Sequence, residues 1–126
     1  MGARANIVLH YGARPDGVEY DPIWLYSHWG GADLAVVLQS ALVRGRPRWD
    51  DPSYLARIIF SEMIRDEILE ETGYGISPFQ TNNEYPVLHV DLKANTVRCG
   101  GHTASFSEYC DLTNPITFIQ GLDNED

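Results

Sequence analysis

The stretch that most constrains this fold is an uncharged helical pattern between Asp33 and Arg44. Apolar residues recur there at spacings of three and four, the pattern of a helix with one buried face. The residues on this predicted face are Leu34, Val37, Leu38, Ala41 and Leu42. The opposite face also lacks charge, although a helix exposed on one side normally carries charged residues there. We therefore predict a helix from Ala32 to Arg44 that is covered on both sides, by the fold or by a second subunit.

A second helical pattern follows after a short break that contains glycine and proline. Asp50 or Asp51 is suited to cap this helix, with Pro52 in its first turn. The apolar pattern continues into an acidic amphipathic half that reaches Thr72, and Gly73 is suited to end the helix. We predict a helix from Pro52 to Thr72.

Strand patterns flank the two helices. Two alternating stretches precede the helices and two follow them, and each pair is predicted to form a hairpin. The order β-β-α-α-β-β predicts a single α+β domain over residues 1–126, with an antiparallel sheet and both helices packed on one face. The predicted strands are Ala5–Tyr11, Pro22–Trp29, Val87–Leu92 and 96–101, followed by a short helical turn within 103–112 and a candidate last strand at 116–121. Residues 73–86 are predicted to be a loop, and the acidic end at 122–126 to be frayed.

The composition limits the classes of function. The chain carries a net charge of −9 at pH 7, which argues against a general DNA or RNA binder, because such proteins neutralise phosphates with basic residues. The charge is compatible with mimicry of DNA, or with a small anionic ligand held by a local arginine cluster. Every apolar run is shorter than the roughly 20 residues that span a bilayer, so we expect a cytoplasmic protein without a membrane contact. Cys99 and Cys110 are expected to be free thiols.

Gly30 and Gly31 come before the first helix, where free N–H groups could bind an anion. The motif lacks the third glycine of a dinucleotide fingerprint and the Lys-Ser/Thr pair of a P-loop. Asp33 in the first turn is expected to satisfy the free donors and to repel phosphate. We therefore predict that the two glycines only turn the chain.

Arginine is concentrated in the region of the two helices. Eight of the nine basic residues are arginine, and a guanidinium can hold phosphate with two parallel hydrogen bonds while a neighbouring aromatic ring stacks on a base. The alternative is a structural arginine network that pairs with Asp50, Asp51, Glu62 and Asp66. The candidate ligand-binding residues are Arg44, Arg46, Arg48, Trp49, Tyr54, Arg57, Arg65 and Trp29.

The histidines have no spacing that is typical of a metal site, and the sequence predicts no metal and no cofactor. Ser27 and His28 are adjacent strand residues that point to opposite faces, so they cannot form a nucleophile–base pair. No catalytic constellation is predicted. The four histidines are His10, His28, His89 and His102.

Three segments, "LYSHWGG", "RWDDPSYLARIIFSEMI" and "ETGYGIS", resemble a family of short, uncharacterised proteins encoded by bacteriophages and prophages. The resemblance spans Leu25 to Ser77, and it carries over no activity and no functional residue. It implies a context: small acidic phage proteins without catalytic motifs often act in the host cell against its defences. Such proteins bind a host protein or sequester a nucleotide immune signal.

These observations leave three hypotheses. The first is a non-enzymatic, homo-oligomeric protein that binds and sequesters a small nucleotide-type signal through its arginines and aromatic residues. The second is an acidic inhibitor or DNA mimic that binds a host protein. The third is a small hydrolase that uses His28 or His102.

Overall fold

The computed structural model describes residues 2–120. Within them a sheet is formed by β1 (Ala5–His10), β2 (Ile23–Ser27), β3 (Tyr74–Ser77), β4 (Leu88–Asp91), β5 (Thr96–Cys99) and β6 (His102–Ser105). The strand order across the sheet is β3-β2-β1-β4-β5-β6. The predicted α+β class is confirmed, as are the β1–β2 and β4–β5 hairpins.

The first strand lies in the middle of the sheet. It pairs antiparallel with β2 and parallel with β4. The predicted purely antiparallel sheet is therefore wrong, because β4 pairs parallel with β1 as well as antiparallel with β5. Alternation along β1 places Ile7 and Leu9 in the apolar core and Asn6 on the other face, and all three are buried. A strand that is buried on both faces is typical of the centre of a sheet.

The helices are α1 (Leu34–Arg44), α2 (Pro52–Ile64), α3 (Phe106–Cys110) and α4 (Ile116–Gln120). Their buried side chains form one apolar cluster with the Ile7 face of the sheet. The predicted packing of the first two helices on one face is confirmed. None of the helices within residues 2–120 has the length and apolar character to cross a membrane.

Helix α1 was predicted to be covered on both sides. This prediction is confirmed for one face and only in part for the other. Leu38 and Leu42 are fully buried in the core. On the opposite side, the Gln39 amide donates hydrogen bonds to the carbonyl oxygens of Tyr109, Cys110 and Leu112, which attaches the helix to the α3 region. Val36 and Val43 are exposed apolar side chains on this helix, at 39% and 50% exposure. The fold thus covers only part of the second face.

The second helix begins as predicted and ends earlier. The Asp51 carboxylate accepts a hydrogen bond from the Tyr54 N–H and is therefore the cap, with Pro52 at the first helical position. The helix ends at Ile64, so the predicted extension to Thr72 is wrong. Most helices in proteins are stabilised by the packing of an apolar face. The apolar residues beyond Ile64 find no such packing, because Ile68 is 67% and Leu69 90% exposed.

Two other predicted elements are also wrong. Part of the predicted loop 73–86 is strand β3, which pairs with β2 from Trp24–Ser77 to Ser27–Tyr74. In the candidate strand at 116–121, the described residues 116–120 form helix α4, and the Asn114 side chain accepts a hydrogen bond from the Ile116 N–H. The predicted frayed end at 122–126 lies outside the described residues.

The connection from β3 to β4 covers part of the sheet face that lies opposite the helices. The Asn6 side chain donates to the carbonyl oxygens of Thr81 and Asn82, at 2.9 and 3.2 Å, and to Asn83 Oδ1. These contacts hold the connection over the first half of β1. The other half of this face, from His10 across β4, β5 and β6, remains open and is the setting of the cleft described below.

Candidate functional site

Two of the candidate arginines meet at a buried carboxylate. Glu62 is 8% exposed; its Oε1 accepts from Arg44 Nε at 3.0 Å and its Oε2 accepts from Arg65 Nη1 at 2.9 Å. Arg44 also donates to Ser61 Oγ. A groove of about 410 Å³ runs along this cluster. The ion pairs neutralise part of the positive charge that a phosphate would need.

Two more arginines stack on aromatic rings at the turn between α1 and α2. The Arg46 guanidinium lies 4.5 Å from the centre of the Trp49 ring, and that of Arg48 lies 5.0 Å from the Tyr54 ring. The Trp49 indole N–H donates to the carbonyl oxygen of Leu42. These stacks are exposed cation–π contacts, which stabilise a surface turn modestly.

Arg57 and Trp29 lie apart from those clusters. Arg57 is exposed and lines an apolar groove between α2 and the sheet. Trp29 is half-exposed, packs edge-on against Tyr74 and lies over Gly73 so closely that a side chain at Gly73 would collide with it. The structure therefore distributes the candidate residues over several surfaces. It brings Arg44 and Arg65 together, whereas Arg57 lines a different groove, and ligand binding by these residues stays a prediction.

The glycine turn has its N–H groups occupied within the chain. The Gly30 N–H donates to Ser27 Oγ and the Gly31 N–H to the carbonyl oxygen of Ala3, at 2.9 and 2.8 Å. Gly31 has φ +51°, a conformation that favours glycine. The prediction that these glycines turn the chain is confirmed. Asp33 makes no capping hydrogen bond, so its predicted role in satisfying those donors is wrong.

A polar cleft of about 310 Å³ occupies the open face of the sheet. We call it the sheet-face cleft. Strand register builds it from neighbouring side chains: His89 pairs with Arg98, which pairs with Thr103 on the next strand. In the adjoining row His10 pairs with Asp91, which pairs with Thr96. The further lining residues are Gly12, Glu19 and Lys93.

The two histidines of this cleft contact each other directly. His10 Nε2 lies 2.9 Å from His89 Nδ1, and the rings are nearly parallel. Burial, together with the nearby charges of Arg98 and His10, lowers the pKa of His89 to about 4. Burial also lowers the pKa of His10, against the raising effect of Asp91. Both rings are therefore neutral at pH 7, so one donates and the other accepts the shared hydrogen bond.

The two basic side chains of the cleft, Arg98 and Lys93, form no ion pair within residues 2–120. The guanidinium of Arg98 is exposed and makes no hydrogen bond or ion pair within residues 2–120. Asp91 Oδ1 accepts from the backbone N–H groups of Lys93 and Ala94 and thereby holds the β4–β5 turn. An unpaired guanidinium beside hydroxyl groups and neutral imidazoles can donate hydrogen bonds to an oxyanion.

This cleft was not predicted from the sequence. Side chains alternate along a strand, so the predicted β4–β5 hairpin already placed His89 and Asp91 on the same face of β4. It likewise placed Thr96 and Arg98 on the same face of β5. What the sequence could not supply was the parallel pairing that brings His10 of the first strand beside them.

The other histidines and the cysteines lie outside the linings of the clefts described above. His28 Nδ1 is hydrogen-bonded to the Tyr26 hydroxyl, and His102 packs edge-on against Phe118. Cys99 and Cys110 are free thiols, as predicted. Among the described residues no group of three or more histidine, cysteine or acidic side chains is arranged to hold a metal ion.

No protein-family model, curated protein or solved structure matches this chain.

Proposed function

We propose that this chain is a non-enzymatic, phage-type counter-defence protein that sequesters a small nucleotide-type ligand, and that the sheet-face cleft receives the ligand's phosphate. The observation that carries this proposal is the exposed guanidinium of Arg98, which makes no hydrogen bond or ion pair within residues 2–120 and lies beside the hydroxyl and imidazole groups of the cleft. The carboxylates of Asp91 and Glu19 also line the cleft, and neither forms an ion pair with Arg98.

The phosphate would interact with Arg98 through two parallel hydrogen bonds. Thr96 and Thr103 are on neighbouring strands of the same face and offer hydroxyl donors. Lys93 adds a second positive charge at the rim of the cleft. Together these groups supply charge and directional donors on rigid strands, which keeps the ordering cost of binding low.

The rest of the cleft suits the sugar and base of a nucleotide. Its volume of about 310 Å³ lies at the lower end of the range for small-molecule sites. The carboxylates of Asp91 and Glu19 can accept hydrogen bonds from sugar hydroxyls. The ring nitrogens that the histidine pair leaves unused, His10 Nδ1 and His89 Nε2, can bond to polar atoms of the ligand.

The state of the histidines supports binding without turnover. General acid–base catalysis is most efficient when the pKa of the catalytic group is close to the working pH. Burial moves the pKa of His89 to about 4, far below neutrality. The histidines therefore serve as neutral hydrogen-bonding groups under cellular conditions.

The test is calorimetry against inorganic phosphate, mononucleotides and cyclic di- and trinucleotides. Replacing Arg98 by Ala should cost about 1.5–3 kcal/mol of binding free energy, the typical contribution of a hydrogen bond to a charged group. Arg14→Ala is the matched control, because Arg14 is an exposed arginine that pairs with Asp16 outside the cleft. Phosphorus NMR of the mixtures reports any hydrolysis of the ligand.

The same panel separates the alternatives. If Arg65→Ala weakens binding and Arg98→Ala does not, the ligand occupies the groove at Glu62. That result would favour ligand binding by the arginines of the two helices. If no nucleotide binds, the proposal fails and the protein-directed inhibitor is favoured. Consumption of the ligand would favour the hydrolase.

A further inference from the structure

An apolar groove lies between α2 and the edge of the sheet. We call it the α2–β3 groove. Ala56 and Phe60 line it from the helix, and Ile23 and Ile76 from the strands. Its volume is about 250 Å³ and its walls are almost wholly apolar. Since β3 is the edge strand, no further element of the described chain covers the groove on that side. Uncovered apolar surface of this kind often marks an interaction site.

The segment immediately after α2 has the complementary character. Leu69 is 90% exposed and Ile68 is 67% exposed. Among the large apolar side chains of residues 2–120, Leu69 is the most exposed. Glu70 and Glu71 follow Leu69 directly and are exposed. We call residues 66–71 the acidic loop. It presents an apolar side chain flanked by carboxylates, to which the fold gives no apolar partner.

We infer that a second copy of this chain covers the groove, with Leu69 of each copy inserted in the α2–β3 groove of the other. The groove and the acidic loop lie near successive turns of α2, because Phe60 is about one helical turn before Ile64, where the helix ends. In the proposed dimer a two-fold axis passes outside α2, alongside Ile64, and brings each loop to the opposite groove. A dimer of this kind closes on itself, since both contacts form at once.

Charge selects a second copy as the occupant. Arg57 lines the groove, is exposed and makes no hydrogen bond or ion pair within residues 2–120. In the dimer its guanidinium meets the carboxylates of Glu70 and Glu71 that accompany the partner's Leu69. Two copies of a chain with a net charge of −9 repel each other at long range. A contact that joins the unpaired cation to the acidic loop offsets part of this repulsion.

The experiment is analytical ultracentrifugation of the full chain at micromolar concentrations and above. The parent should sediment as a dimer. Leu69→Ser should weaken the dimer by roughly tenfold to a hundredfold, as truncation of an interface anchor typically does. Because Leu69 is almost fully exposed, this change should leave the unfolding midpoint unchanged. Phe79→Ser is the matched control: Phe79 is exposed but lies outside the groove lining, so its dimer should be unaffected.

A charge exchange tests the ion pair. Arg57→Glu should abolish the dimer, and Glu70→Arg combined with Glu71→Arg should do the same. Joining all three changes should restore the dimer, because opposite charges again meet across the two-fold axis. A monomeric parent, or a dimer that Leu69→Ser leaves intact, overturns the inference. The contact shares no residue with the sheet-face cleft, so its failure does not affect the proposed function.

Discussion

Acidification should weaken the fold through the histidine pair of the sheet-face cleft. In the unfolded chain a histidine has a pKa of about 6.5. In the folded chain burial lowers the pKa of His89 to about 4, and that of His10 is lowered as well. Between these values the unfolded state binds a proton that the folded state excludes. The free energy of unfolding should therefore be unaffected above about pH 6.5 and should fall as the pH decreases toward 4.

The size of the effect follows from the same values. A difference between about 6.5 and about 4 corresponds to about 3 kcal/mol for one fully shielded group. Because His89 is only half-buried, solvent screening reduces the expected loss to about 1–2 kcal/mol. His10 shifts in the same direction and shares a hydrogen bond with His89, so the two protons are taken up as a coupled pair.

Urea unfolding of the parent and of His89→Gln, at about pH 7.5 and about pH 5, measures this loss. The acidic chain changes its overall charge over the same range, and the comparison of parent and variant cancels that general effect. The parent should lose about 1–2 kcal/mol more than the variant on acidification. Equal losses, or an NMR titration that places the pKa of His89 at 6.5 or above, would refute the reasoning.

Three further predictions concern stability and are measured by denaturant unfolding. Leu38→Ala should cost about 2–5 kcal/mol, because Leu38 is fully buried in the core; an unchanged midpoint would contradict the assigned helix phase. Asp51→Ala should cost about 1 kcal/mol through loss of the α2 cap, while Asp50→Ala should be nearly neutral. Gly31→Ala should cost about 1–3 kcal/mol, because Gly31 has φ +51° and an added Cβ would lie 3.0 Å from that of Ala3; a neutral result would mean that the turn relaxes.

Local patterns were sufficient to predict α1, the start of α2 and two hairpins. The α1 pattern was readable because its buried residues recur on one face and the core accepts that face. Asp51 and Pro52 have strong local preferences for the start of a helix. The end of α2 could not be predicted from local preferences of this kind. The sequence after Ile64 keeps an amphipathic period, but nothing in the fold packs against Leu69.

The elements that were predicted wrongly depend on distant partners. Tyr74–Ser77 resembles a loop by its glycine content and becomes a strand only because the free edge of β2 supplies its hydrogen bonds. Likewise, the parallel pair of β1 and β4 joins residues about eighty positions apart, such as Val8 and His89. The sheet-face cleft inherits this dependence, since His10 reaches His89 only through that pairing. The candidate arginines are close together in the sequence, but most of them have partners within the fold. They form ion pairs with Glu62 or stack on the rings of Trp49 and Tyr54.

The central position of β1 also governs when the chain can complete its structure during synthesis. The N-terminal strand finds β2 within a few tens of residues, but its other edge stays unpaired until β4 has left the ribosome. Until then an apolar strand presents open backbone groups, which is the surface that leads to misassembly. The late, non-local closure also slows folding, because a long loop must be ordered before the contact forms. The nascent chain therefore passes through a vulnerable interval, and this interval ends only when the segment that carries His89 is in place.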